Sequence, residues 1–269
     1  MDEANSTLSR VRGRVTSADG TRIAYERYGD GPPVILVGGA LGTAAAERPL
    51  AGLLASRFSV VAYDRRGRGG SGDTGPYAVG REIDDLAAVV DEVGGDVTVH
   101  GTSSGGALAL AAAAAGLPIA RLSVFEPPYA TDAERRDAFA ARGRRLVSLL
   151  DEGRRDEALE LYLSDAATPE APAGLRGSVR WPRLTEVAHT LAYDHAVLGD
   201  GVVPDALLGS VDAPVLVVDG GFSPAWTRAA AQAVAAALPR GRHRTLTGQT
   251  PLVAPHVLAP VLEEFFVEE

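Results

Sequence analysis

The residue types of nucleophilic catalysis are concentrated in Gly101-Thr102-Ser103-Ser104-Gly105-Gly106. An apolar run, Val97-Thr98-Val99, precedes this stretch, and an Ala/Leu-rich segment from Ala107 to Ala115 follows it. Strand, G-x-S-x-G and helix in that order push a serine into a strained turn with its hydroxyl exposed above a sheet. The flanking glycines are required because side chains there would collide with the strand and helix they join. A serine hydroxyl needs a base to become a good nucleophile. The chain has no cysteine and no lysine, all 26 basic residues being arginine, so a Cys nucleophile, a Ser-Lys dyad and Schiff-base chemistry are excluded.

The five histidines are His100, His189, His195, His243 and His256. His100 adjoins Gly101 and is expected to pack beside the strand. His243 opens the last strand and reads as a surface residue. His189 and His195 are six apart, which places them on different faces of a helix. His256 falls in the first turn of the last helix.

These groups need a scaffold, and the chain can build a large one. With 269 residues, 46% hydrophobic, it suits one α/β domain with an inserted subdomain. A net charge of −9 without a basic run argues against nucleic acid and anionic membrane surfaces as partners. Met1 to Arg10 is too acidic and polar for a signal peptide, and the apolar run Ala107–Ala120 is too short to span a bilayer. A cytoplasmic location is therefore expected, with no metal or organic cofactor and a small molecule as partner.

Strands are expected at Val11–Val15 and Thr21–Tyr28, joined as a hairpin by Ala18-Asp19-Gly20. Further strands are expected at Pro33–Val37, Phe58–Tyr63, Val97, Arg121–Phe125, Pro214–Val218 and Arg242–Leu246. Helices are expected at Ala45–Ala55, Val79–Val93, Ala225–Leu238 and Pro255–Phe266. Between Tyr129 and Asp212 the alternation stops and only helical patterns remain: Ala133–Leu150, Asp156–Leu163 and Leu184–Leu198. The expected architecture is a mostly parallel sheet with helices on both faces, formed by 1–128 and 213–269, with a helical lid over 129–212. Asp64 to Arg68 reads as a structural loop, and Arg135, Arg136, Arg142, Arg144 and Arg145 as the solvated face of a lid helix.

On the elbow, the Glu126-Pro127-Pro128 strand end and the turn Gly220-Gly221-Phe222-Ser223-Pro224, the chain resembles the α/β-hydrolase fold superfamily, actinobacterial serine-hydrolase-like proteins above all. The resemblance implies that Ser103 attacks a carbonyl and that the backbone amides of Ser104 and Ala40 hold the oxyanion. The turn Gly38-Gly39-Ala40 matches the oxyanion loop, with Gly38 where histidine is common. The usual acid position carries Ser223, so the resemblance leaves Glu126 as the acid or as a structural carboxylate. The histidine is expected in a pattern like Gly-Gln-Thr-His, but the chain reads Gly248-Gln249-Thr250-Pro251. Proline cannot accept a proton, which leaves the triad degenerate and His256 and His195 as candidate substitute bases. Leu41, Tyr129, Trp181, Tyr193 and Phe222 are candidate pocket walls. Three functions remain open: hydrolysis of a small ester, lactone or related carbonyl; a non-hydrolytic isomerase, cyclase or lyase of secondary metabolism; or a catalytically dead binding protein.

Overall fold

The structure, a computed structural model, describes residues 10–166 and 171–268. Eight strands form one sheet: β1 (Arg10–Thr16), β2 (Arg22–Tyr28), β3 (Pro33–Val37), β4 (Ser59–Tyr63), β5 (Val97–Thr102), β6 (Ile119–Phe125), β7 (Val215–Gly220) and β8 (Gly241–Leu246). Their order is β1-β2-β4-β3-β5-β6-β7-β8. β1 and β2 pair antiparallel, as does β2 with β4, and the rest of the sheet is parallel.

Helices cover both faces of the central strands. α1 (Ala44–Leu54) and α11 (Pro255–Phe266) lie on one face; α2 (Val79–Val93), α3 (Ser104–Ala114) and α10 (Ala225–Ala237) lie on the other. The period-2 alternation of a strand splits β3 between two cores. Val34 and Leu36 join the α1/α11 cluster, while Ile35 and Val37 join the other. That double burial explains why β3 reads as an unbroken apolar run. The outer strands instead expose Arg10, Arg12 and Arg14 on β1 and Arg242 and Arg244 on β8, charges that discourage pairing with another sheet.

From β3 the chain passes through α1 to β4 on one side, then through α2 to β5 on the other. The C-terminal ends of β3 and β5 thus flank the point where the winding reverses, where open α/β sheets present ligand crevices.

The insertion between β6 and β7 holds α4 (Ala133–Asp151), α5 (Arg155–Ala166), α6 (Ala171–Arg176), α7 (Trp181–Val187), a 3₁₀ turn (Ala188–Thr190), α8 (Leu191–Val197) and α9 (Asp205–Leu208). It has its own apolar cluster, including Leu146, Leu159, Trp181 and Leu191, against which Ala40 and Leu41 pack. The single helix expected over Leu184–Leu198 is broken at the 3₁₀ turn. There the Thr190 hydroxyl donates to the Val187 carbonyl at 2.7 Å and accepts from the Arg68 guanidinium at 3.1 Å, a local competition with regular helix bonding. α6 and α9 are too short to leave a periodic signal. The arginine face of α4 is only partly solvated: Arg135 lies 4.1 Å over the Trp226 ring, and Arg142 is half-buried.

Candidate active site

Ser103 sits between β5 and α3 with φ 54° and ψ −125°. Its amide donates to the Phe125 carbonyl at 2.8 Å, which pins the turn to β6. Its carbonyl accepts from Gly106 and Ala107 at 2.9 and 3.1 Å, which starts the helix. A Cβ at Gly105 would stand 2.3 Å from the Val37 carbonyl oxygen, and one at Gly101 2.6 Å from the Gly106 Cα, so neither position admits a side chain. Ser104, the first residue of α3, has an amide without an intrahelical partner at the positive end of the helix.

The loop after β3 lies directly beside the serine. A Cβ at Gly39 would stand 3.2 Å from the Ser103 Cβ. Gly42 donates to the Gly39 carbonyl at 3.1 Å, closing a turn in which Leu41 has φ 60°. Glu126, at the end of β6, has φ 49°. Leu41, Ser103 and Glu126 are the non-glycine residues with positive φ among the described residues. They occupy the ends of three adjacent strands, β3, β5 and β6. Strain of this kind persists only where the surroundings enforce it, and it gathers at functional sites.

Glu126 is buried. One of its carboxylate oxygens accepts from the Gly220 amide at 2.9 Å and from the Ser223 hydroxyl. Burial pushes this carboxyl up, against the two hydrogen bonds, and nearby Asp219 adds to the rise. Ser223 therefore contributes a donor to Glu126 from the position where the resemblance expects the acid itself.

The imidazoles lie elsewhere. His100 is buried; its Nδ1 meets Ser123 Oγ at 2.7 Å, and burial lowers its pKa to about 4. His243 Nε2 meets Asp219 Oδ2 at 2.7 Å. His189 Nε2 meets Asp73 Oδ2 at 3.1 Å. His195 lies against Gly143 with its ring 4.4 Å from that of Phe139, and its pKa is lowered by burial and then by Arg142. His256 is exposed in the first turn of α11, and Pro251 is exposed in the loop before it.

What sequence reading missed is a buried ionic cluster under the site. Arg65, Arg66 and Arg68 are at most 1% exposed, so the loop read as merely structural buries all three of its guanidiniums. Arg65 forms two 2.8 Å bonds to Glu82, one of 2.7 Å to Asp194 and a 3.3 Å bond to the Gly38 carbonyl. Arg68 reaches Asp194 and the Gly39 carbonyl, both at 2.7 Å. Asp194, on α8, also accepts from the Ser104 hydroxyl at 2.7 Å. Burial opposes its ionisation, but Arg68 and Arg65 outweigh burial and hold this carboxyl below its usual range. One carboxylate of the insertion thus fixes both the loop after β3 and the first residue of α3. The sequence signal was three arginines in four positions next to glycines, but their partners stand up to 129 residues away.

A model of the alpha/beta hydrolase family matches residues 34–261. The chain belongs to this family. It is 52% identical to an alpha/beta hydrolase of known structure from Sphaerobacter thermophilus, covering 95% of this chain and 100% of that one with a TM-score of 0.86. A hydrolase from Pseudomonas aeruginosa is 22% identical, with a TM-score of 0.76 over 98% of this chain and 100% of that one, and shows the shared fold alone. A non-heme haloperoxidase of Rhodococcus erythropolis is 38% identical over 98 residues, 34% of this chain and 35% of that protein. The chain spans about half or less of the length of the curated relatives it matches. No helix of this chain, among the described residues, is long and apolar enough to cross a membrane.

A cavity of about 710 Å³ opens beside the site, lined by Leu41, Thr43, Gly67, Asp73, Arg183 and His189, among others. Of the expected pocket walls, Leu41 lines it. Tyr193 stacks on Tyr77 at 3.9 Å and donates to Asp73 at 3.1 Å. Trp181 is buried in the cluster that covers Ala40 and Leu41, its Nε1 donating to Asp156 at 2.7 Å. Tyr129 is buried in the main core, and Phe222 is 76% exposed.

Proposed function

We propose that this hydrolase acts on a small ester, lactone or related carbonyl compound, with Ser103 as nucleophile and the amides of Ala40 and Ser104 as the oxyanion site. The observation that carries the proposal is the set of left-handed residues at adjacent strand ends, which gathers a serine hydroxyl, an amide-bearing loop and a carboxylate at one edge of the sheet. Preorganised amides stabilise the charge that builds on a carbonyl oxygen under attack, and one such donor is worth about 10²–10³ in turnover. Glu126 serves as the acid of an incomplete triad, and residues 129–212 act as a lid over the substrate. The 52% identical relative from Sphaerobacter thermophilus carries the name of an alpha/beta hydrolase, in keeping with this reading.

A fluorophosphonate probe tests the central step. The native protein is expected to be labelled at Ser103, read by intact mass, and a Ser103→Ala variant to take no label. Equal labelling of both proteins would remove Ser103 from the reaction.

A second reading rests on a separate observation: four of the five imidazoles are bonded or packed against other groups, and the fifth, His256, is exposed. The same amides and the Ser103 hydroxyl would stabilise an enolate in an isomerase, cyclase or lyase, which needs no activated nucleophile. Turnover of an enolisable lactone or ketone without labelling of Ser103 would favour this reading.

A further inference from the structure

Glu47 is out of place. The buried positions of α1 are Ala44, Leu50, Ala51 and Leu54, and Glu47 falls on the same stripe, three residues after Ala44 and four before Ala51. A carboxylate on the core side of an amphipathic helix is costly unless it is paired. Glu47 has no hydrogen bond or ion pair among the described residues.

Its neighbours make the position informative. A Cβ at Gly38 would stand 3.2 Å from Glu47 Oε1, so the glycine leaves room for the carboxylate at the start of the loop beside Ser103. Gly39, next in sequence, is the residue whose Cβ would meet the Ser103 Cβ. α1 also packs against α11, which begins directly after the loop carrying Pro251. Glu47 therefore sets its carboxylate against the start of the loop that flanks the serine.

The charged groups of the surrounding elements are already committed. Arg48 on α1 pairs with Glu26 of β2 at 2.7 Å. Asp64, after β4, accepts from the Ala44 and Gly70 amides. Arg65 and Arg68 hold Asp194, and Glu126 is tied to Ser223 and Gly220. On α11, Glu263 and Glu264 pair with Arg57 and Arg244.

Resting on the serine reading above, we infer that Glu47 is the proton acceptor of this site, working through one water between its carboxylate and Ser103. As the Ser103 oxygen bonds to the carbonyl carbon, the carbonyl π pair moves to oxygen. The hydroxyl proton passes to the water, which gives one of its own to Glu47. Collapse of the adduct breaks the bond to the leaving oxygen, and Glu47 returns the proton to it by the same path. A second water then attacks the acyl carbon and gives a proton to Glu47; the bond to the Ser103 oxygen breaks, Glu47 returns that proton to it, and the carboxylic acid is released. Burial alone raises the Glu47 carboxyl to about 7, close to the pH at which a general base is most effective.

The experiment is the rate of fluorophosphonate labelling from pH 5 to 9 in the native protein, Glu47→Gln and Glu47→Asp, with thermal melts to establish folding. The native rate is expected to rise through an inflection near neutrality. Glu47→Gln is expected to label roughly 100-fold more slowly at pH 8 and to lose the inflection, since a positioned base contributes about 10²–10⁴. Glu47→Asp is expected to keep an inflection at a lower rate. A native inflection that survives in Glu47→Gln overturns this inference and leaves the role of Ser103 intact. A native protein that does not label at any pH overturns both.

Discussion

Replacing Pro251 by histidine is expected to raise ester turnover by about two to four orders of magnitude, the usual contribution of a positioned general base. In a complete triad, loss of the histidine costs about 10⁶ in turnover, so the native chain stands far below what its scaffold would support. On the proposed reading, Ser103, the two amides and Glu126 supply the other parts. The loop is anchored by the Phe222 amide on the Gln249 carbonyl at 2.8 Å and by the Ala254 amide on Gln249 Oε1 at 3.0 Å. Pro251 itself is exposed, so an imidazole there displaces no buried side chain. Glu126 has a second carboxylate oxygen besides the one bonded to Gly220 and Ser223, and the new ring is expected to take it as its partner. Losing the proline costs at most about 1 kcal/mol through the unfolded chain. kcat/KM for p-nitrophenyl acetate at pH 8 reads the outcome. A folded Pro251→His protein with unchanged turnover would mean that the native site already has an adequate base, and the same substitution in a Glu47→Gln background would then restore the lost rate.

Asp194→Ala is expected to destabilise the protein by about 3–5 kcal/mol, the usual loss when one partner of a buried ion pair is removed. The substitution takes away the carboxylate that pairs with Arg68, leaves Arg65 with Glu82 alone, and leaves the Ser104 hydroxyl without its acceptor. Asp194→Asn, which keeps an oxygen acceptor without the charge, is expected to cost less. The dependence on pH follows from the depressed carboxyl. A group whose pKa is lower in the folded state stabilises fully above its unfolded value, about 3.9, and loses that contribution as pH falls through the folded value. The difference between native protein and Asp194→Ala should therefore be constant from pH 5 to 8 and shrink only under strong acid. Urea unfolding at several pH values measures it. A loss below about 1 kcal/mol at pH 7 would show that the two guanidiniums find other partners or water.

The layout of the sheet was legible because each strand announces itself by its own residues. β3 and β5 are apolar runs closed by glycine, and the hairpin of β1 and β2 turns at Asp19-Gly20. The elbow was legible for the same reason, since its strand, glycines and helix are contiguous. Glu126 could be placed at a strand end but not connected to Ser223, because that contact spans 97 residues. The break in Leu184–Leu198 depends on Arg68 reaching Thr190 across 122 residues, and periodicity within a segment carries no trace of it. Glu47 escaped notice because an acid in the first turn of a helix is ordinary by position. Only the placement of α1 brings its carboxylate to the Gly38 backbone.

The tie from Asp194 to the floor of the site has a bearing on traffic. Moving α8 and the turn before it away from the sheet would expose two guanidiniums and break three 2.7 Å bonds and one of 3.1 Å together. The gap between Leu41 and α7, which has Asp73 and His189 on its rim, asks for no such rupture. A molecule can thus enter the cavity beside Leu41 while α8 keeps its ionic ties, so what the cavity admits and how far the insertion moves are separate properties of this fold.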